Sequence, residues 1–556
     1  MAMKWRTIVK NVVAKIASSL SFCRGCEKLS HGILMPKRYV LSNANVITMD
    51  NEDSRANAIA VEDGRIVSVG TQQDMSELLQ RGWKCYDVAG KTILPGFSDC
   101  HSHLDLTGIT YAGISGCGFV TIEEAVEAIA ARARQTPTGK PIIMFGVKDT
   151  QFTDDRVPNR WDLDEATTVH PVIIVEYTWH QSYLNSCAID YFQVTEMDDG
   201  ADIENGLLNG VLRDPISITV NSKAVSNISQ LELIAGIKKA ACGALQHGVT
   251  TIHTMQGGMD ICDIDEVMEM LEPQLPVHII TWDQSNDVAK VLQRKLPRMG
   301  GCGAMQADGE IGSNTAALFE PYTNQLNSKG LLNHTQEYWD KLILTAHCNQ
   351  LQFAAHAEGE AGIEAVLCAM EKAQAQCARK DARHRIEHLE LPTMTQLERM
   401  EQAGIIASVQ PAFVDLSDKE FKQLCRSYGK TRMKRFNPYR SIYEKGVVMV
   451  GGSDSPVSPY DALLGVYWAL NHPVVEERLP LREALKMVTI NAAYSGFEED
   501  DKGSLEKGKL AELVILSNDP YQVQAEKLHE LVVVEYVIAK GSGYQTAELA
   551  KQAEMK

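Results

Sequence analysis

Between residues 141 and 454 the chain alternates short apolar runs with stretches of helical period, and few folds accommodate that rhythm. The runs are PIIMFG (141–146), PVIIVEY (171–177), GVTTIHTM (248–255), VHIITWD (277–283), GAMQAD (303–308), LQFAAHA (351–357), HRIEHL (384–389), GIIASVQ (404–410) and GVVMVGGSD (446–454). Between most of them lie helical stretches such as IEEAVEAIAARARQ (122–135), LELIAGIKKAACGAL (231–245) and GIEAVLCAMEKAQAQCARK (362–380). Repeated strand–helix alternation makes parallel strands, because each helix carries the chain back to start the next strand on the same side. The expected class is α/β, a (β/α)8 TIM-like barrel over residues 96–502. Residues 136–230 exceed what one repeat requires and are expected as an insertion that walls the active site.

The two ends read differently. YVLSNANVITMD (39–50) and ANAIAVEDGRIVSVG (56–70) are alternating runs, with Asp63-Gly64 as a hairpin between two of them. AELVILSNDP (511–520) and ELVVVEYVIAKG (530–541) return to the same style. A small β-sandwich domain built from residues 38–95 and 503–545 is therefore expected. Residues 1–37 precede it. They are rich in Lys and Arg, with Glu27 as the one acid, and read either as an amphipathic helix that touches a membrane or partner, or as an extension outside the fold.

Composition excludes several classes. A net charge of −18 would repel a phosphate backbone, so no nucleic-acid partner is expected. No run reaches the ~20 apolar residues that span a bilayer, so no stable membrane insertion is expected. The 13 Cys are scattered, and the lone C-x-x-C, Cys23 to Cys26, has no second pair. Structural zinc is not expected there, and a reducing cytoplasm fits best. G-x-S-x-G and the full phosphate-loop motif G-x-x-x-x-G-K-[ST] are both absent from the sequence.

The chemistry starts in KTILPGFSDCHSHL (91–104). If Pro95 to His101 is extended, residues two apart share a face, so His101 and His103 aim into one cavity as paired imidazoles do in metal sites. Alone, such a pair among 15 His says little. His356, His388 and Asp454 each close a later apolar run, and in such a barrel the strand ends form the active-site face. Buried polar groups without partners cost a few kcal/mol each, so a shared metal is the economical explanation.

LPGFSDCHSHL, ADGEIGSNTAALFEPY (307–322), AAHAEG, HRIEHLEL, SVQPAF (408–413), GGSDSPV and GSLEKGKLAELVIL (503–516) together resemble the amidohydrolase superfamily. The nearest branch is amidohydrolase family 3, which contains N-substituted formamide deformylase-like metal-dependent hydrolases. The resemblance runs from about residue 38 to 541. It implies that His101, His103, His356 and His388 bind metal, and that Asp454 is both a ligand and the catalytic base. His388 would be a catalytic group as a weaker ligand or a hydrogen-bond partner of the attacking water. His180 and Asn185, in EYTWHQSYLNS, resemble an element that contacts substrate. Asp308 and Gln410 are further substrate-binding candidates, and Arg440 is undecided between a pocket role and local bonding.

One departure from the family matters. Relatives often carry a Lys four residues before the Asp of A-D-G, where its carbamate bridges two metals. Here that position is Ala304, no Lys lies between 296 and 328, and Cys302 and Gln306 are the nearest donors. Two dications about 3.5–4 Å apart repel strongly without a bridging anion. One ion is therefore expected, held by His101, His103, His356 and Asp454. Zinc leads, and manganese or iron suits the same donors.

The resemblance implies hydrolysis of a non-peptide C–N bond in a small-molecule amide, formamide or cyclic amide. Two alternatives remain at this point. One is the same site acting on C–C bonds, as a lyase or a ring-opening hydrolase of a cyclic diketone; the other is a relative without catalysis. A homodimer is compatible with the resemblance.

Overall fold

The computed structural model describes residues 32–149, 151–257 and 264–546. The readings of residues 1–31, including Cys23 and Cys26, lie outside them.

Eight strands form one parallel sheet in sequence order: β1 (Phe97–Ser102), β2 (Val249–Gln256), β3 (His278–Asp283), β4 (Arg298–Gln306), β5 (Gln352–Ala357), β6 (Arg385–His388), β7 (Ile406–Val409) and β8 (Met449–Gly451). The sheet closes on itself just past the end of β8. There the Asp454 N–H donates to His101 O at 2.7 Å and the His103 N–H donates to Ser455 O at 2.8 Å. Gly452 permits this seam, because a Cβ there would meet the His101 backbone nitrogen at 2.4 Å. The chain is a (β/α)8 barrel.

Helices complete the repeats where apolar residues recur every three or four positions. In α1 (Gln230–Gln246) that stripe is Leu233, Ile237, Ala240, Ala241, Ala244 and Leu245, all buried. Ser229 and Glu232 cap its start reciprocally, satisfying two backbone donors that the first turn leaves free.

The runs at 141–146 and 171–177 do not enter the barrel. They form strands Ile142–Val147 and Val172–Glu176 of a separate six-stranded mixed sheet, inserted between β1 and β2 together with Ile114–Ser115, Gln181–Leu184, Ala201–Glu204 and Leu207–Arg213. A doubly buried strand has the same local pattern in either sheet, so the apolar run alone does not say which neighbour it pairs with. H-bonding to β2 and β8 makes the His101 strand the first of the barrel instead.

The chain ends pack as a sandwich. A seven-stranded sheet combines N-terminal strands such as Asn45–Ile47 and Thr92–Pro95 with Leu513–Leu516, Val534–Ala539 and Ser542–Gln545. A four-stranded sheet holds Arg38–Ser42, Ala58–Glu62, Arg65–Gly70 and Lys84–Asp87. Tyr39, Leu41, Val46, Ile59, Ile93, Leu513 and Ile538 form the core between them. Asp63 (φ 49°) and Gly64 (φ 78°) make the turn between Ala58–Glu62 and Arg65–Gly70, as the pair does in a hairpin with positive φ at both turn positions.

Candidate metal centre

At the end of β1 the two-residue period puts His101 and His103 on the inside of the barrel. His101 and its partners Glu387 and Arg385 are fully buried. The His101 Nδ1–H donates to Glu387 Oε2 at 2.6 Å, so its Nε2 lone pair points into the mouth. Glu387 in turn accepts two bonds from Arg385, from Nε to Oε1 and from a terminal nitrogen to Oε2, both 2.7 Å. Arg385 also donates to Cys100 O at 2.7 Å and Ser408 Oγ at 2.8 Å, and stacks 4.5 Å from the Trp282 ring centroid. Burial would raise the Glu387 carboxyl, but Arg385 and His101 outweigh it and hold the group well below the usual carboxylate range. The His103 Nδ1–H donates to Met255 O at 3.2 Å, which fixes its Nε2 lone pair inward as well.

Asp454 Oδ1 lies 3.2 Å from His101 Nε2 and 3.1 Å from His103 Nε2, yet makes no hydrogen bond. With both Nδ1 protons spent elsewhere, the two Nε2 lone pairs and the carboxylate oxygen converge as acceptors, an arrangement that a cation among them satisfies. A tetrahedral zinc with ordinary bond lengths of about 2.0–2.1 Å would separate such donors by roughly 3.3 Å. His356 Nδ1 and His388 Nδ1 are also buried without a partner. His388 (φ 70°) and Asp454 (φ 55°) sit in the left-handed backbone region, which turns both side chains at their strand ends and is costly outside glycine.

Cys302 occupies the middle. Its Sγ is 3.6 Å from His101 Nε2 and 3.6 Å from His388 Nε2. Three donor groups result, each with ligand atoms within 4.8 Å of one another: His101, His103 and Cys302; Cys302, His356 and His388; and His101, His388 and Asp454. The donor chemistry and the orphaned atoms fit a divalent metal.

The electrostatics agree. Burial would raise the Cys302 thiol, but His101 beside it holds it well below its ordinary value. Burial would likewise raise Asp454, and His101 and His103 hold it well below the carboxylate range. Burial lowers His388, and the neighbouring His356 adds to this.

A model of the amidohydrolase family (Amidohydro_3) matches residues 84–542. The chain belongs to the amidohydrolase family. YtcJ of Bacillus subtilis (strain 168) is 28% identical over 519 residues, covering 89% of this chain and 97% of that protein. N-substituted formamide deformylase of Arthrobacter pascens is 25% identical over 524 residues, covering 89% and 96%. Among solved structures, an uncharacterized metal-dependent hydrolase from Pyrococcus furiosus superposes with a TM-score of 0.72 at 25% identity, over 87% of this chain and 99% of that one. The protein is a metal-dependent hydrolase of this family. Among the described residues no helix is long and apolar enough to cross a membrane.

In this amidohydrolase the remaining candidates divide. Gln410 follows β7, two residues after the inward Ser408, and its amide is 1% exposed with neither Nε2 nor Oε1 partnered. His180, on the inserted sheet, pairs through Nδ1 with Asp214 at 2.5 Å. Its pKa is raised, first by Asp214, against burial, and then by Glu310, an acid that also raises Glu390. Asn185 is structural: it caps helix α2 (Ser186–Phe192), accepts from the Val172 N–H and donates to Thr167 O and His170 O. Asp308 is fastened too. Its oxygens accept the N–H groups of Ala317, Glu358 and Gly359 at 2.8–3.0 Å, so it ties the loop after β4 to the end of β5. Arg440 pairs with Glu444 along its own helix, Tyr439–Glu444, at 2.6 Å.

Sequence reasoning missed Arg385 and Glu387 and named Cys302 only as one of two donors near the Ala304 position. In HRIEHLE, residues 385 and 387 share a face by the strand period. A charged pair on the inward face of an otherwise apolar run was the available signal.

Proposed function

We propose that this amidohydrolase hydrolyses a non-peptide C–N bond of a small amide, with Asp454 as the general base and then the general acid. The observation that carries this reading is the Asp454 carboxylate, 3.1–3.2 Å from two imidazole nitrogens and unbonded to either. When bound, a divalent ion supplies the electrostatics, lowering the pKa of a coordinated water to about 7 and polarising a carbonyl. Asp454, ionised throughout the neutral range, takes the proton of the attacking water and returns it to the leaving nitrogen. Glu387 and Met255 O hold the His101 and His103 rings so that their Nε2 atoms stay aimed. The buried, unpaired Gln410 amide offers a donor and an acceptor to a substrate amide.

Imidazole, thiol and carboxylate donors suit zinc best. Beside His356, burial and the Glu310 carboxylate lift Glu390 to about 8, and burial with Glu390 and Glu310 lifts Glu358 well above its ordinary value, so both are largely uncharged at neutral pH. N-substituted formamides, the substrate class named for the Arthrobacter relative, and cyclic amides come first as candidates. The described cysteines are free thiols, in keeping with a reducing cytoplasm.

The test is a hydrolysis screen over N-substituted formamides, cyclic amides, acyl-amino acids and cyclic diketones, with Zn²⁺ or Mn²⁺ supplied. Turnover of a formamide or cyclic amide supports the reading. Turnover confined to cyclic diketones would replace it with C–C bond cleavage.

A further inference from the structure

The position that would hold a bridging Lys is Ala304, yet the strand carrying it does not run straight past the site. Along the pairing of β4 with β5, Gly301 sits opposite Ala355 and the next partner of His356 is Gln306, so residues 302–305 bulge out of the ladder. Gly300 (φ 127°) and Gly301 (φ 116°) supply backbone angles that other residues rarely adopt. A Cβ at Gly300 would also meet Ala354 O at 2.0 Å. The Cys302 N–H is pinned to Gln284 Oε1 at 3.0 Å, while the Ala304 carbonyl accepts from Tyr338 OH at 3.4 Å on helix α3 (Gln336–Cys348) outside the barrel. The bulge thus trades Ala304 for Cys302 at the centre of the mouth.

We propose that Cys302 is the bridging ligand of a two-metal centre, its thiolate taking the place of a lysine carbamate. One ion would be held by His101, His103 and Cys302, with Asp454 beside it, and the second by Cys302, His356 and His388. This rests on the metal-dependent reading above and replaces the one-ion expectation, which assumed that no anion stood between the two halves of the site.

Two observations carry it. Cys302 belongs to both of the donor groups that divide the four histidines. Its Sγ is also 3.6 Å from a nitrogen on each side. A tetrahedral zinc with metal–sulfur and metal–nitrogen bonds of about 2.3 Å and 2.0–2.1 Å would separate sulfur from nitrogen by roughly 3.5 Å. A lone thiol has one proton and satisfies one imidazole, whereas a thiolate between two cations satisfies both sides at once. The thiolate also offsets the repulsion that two dications at bridging distance would feel.

The experiment strips the purified full-length protein of metal and titrates it with Co²⁺, following bound ions per chain and near-ultraviolet absorption. The wild type is expected to bind two Co²⁺ with sulfur-to-cobalt charge-transfer absorption. Cys302→Ala should bind one and lose the band. Cys302→Asp, which restores a bridging anion without sulfur, should recover two ions without the band. Circular dichroism melts of the loaded proteins establish that each variant folds. One ion in the wild type, or the band surviving in Cys302→Ala, overturns the bridge while leaving the metal-dependent reading intact. No bound ion in the folded wild type overturns both.

Discussion

The Glu387 carboxylate sits 2.6 Å from His101 Nδ1 at the floor of the site, and both residues are fully buried. Glu387 is therefore the group that decides which His101 nitrogen faces the mouth. Its own charge is balanced by Arg385 through two 2.7 Å bonds.

Glu387→Gln keeps the shape and removes the charge. Metal affinity should fall about 10–100-fold, the usual cost of losing a group that orients a metal-binding histidine. Arg385 would also be left buried without its counter-charge, and a broken buried pair costs about 3–5 kcal/mol. Chelator competition reads the first effect and denaturant unfolding the second. An unchanged metal affinity would mean that His101 is held by packing alone.

A second buried chain sets acid stability. The Phe353 N–H donates to His384 Nδ1 at 3.0 Å, His384 Nε2–H to His347 Nδ1 at 2.7 Å, and His347 Nε2–H to Cys377 O at 2.6 Å. Every position is filled with both rings neutral, so a further proton would break a bond. Burial, with His347 and Arg379 nearby, lowers His384 from 6.5 to about 3. The folded pKa is depressed, so this contribution is fully present above pH 6.5 and is lost as pH falls toward 3, because the unfolded chain takes up the proton first. The slope is at most about 1.4 kcal/mol per pH unit. His384→Gln preserves both local bonds and cannot titrate. Between pH 6.5 and pH 5 the wild type should lose about 2 kcal/mol more than the variant in denaturant titrations.

Gln410 separates binding from folding. Its buried amide has no partner, and each such group costs about 1–3 kcal/mol. Gln410→Leu should leave thermal stability unchanged or raise it, while KM for an amide substrate rises about tenfold or more. A large loss of stability with KM unchanged would make Gln410 a structural residue.

How much of this was legible beforehand follows from local and non-local physics. The alternation of apolar runs and helical stretches exposed the barrel, because each repeat writes its own period into the chain. His101, His103, His356, His388 and Asp454 stood out because each closes an apolar run. The partners of the strands at 142–147 and 172–176 were not legible, since a buried strand looks alike in either sheet. Cys302 was hidden for a related reason. Residue spacing assumes a regular strand, and the bulge at 302–305 changes which side chain reaches the centre. The Arg385–Glu387–His101 chain joins residues 286 positions apart in part, which no local pattern records.

The most direct test of the central claim is the turnover of Asp454→Asn at matched metal content on whichever amide the wild type hydrolyses. The variant keeps the size of the side chain and loses the base, so kcat should fall by about 10²–10⁴-fold with metal still bound. Turnover within a few-fold of wild type, in a variant carrying its full metal, would contradict the assignment of Asp454 and with it the mechanism.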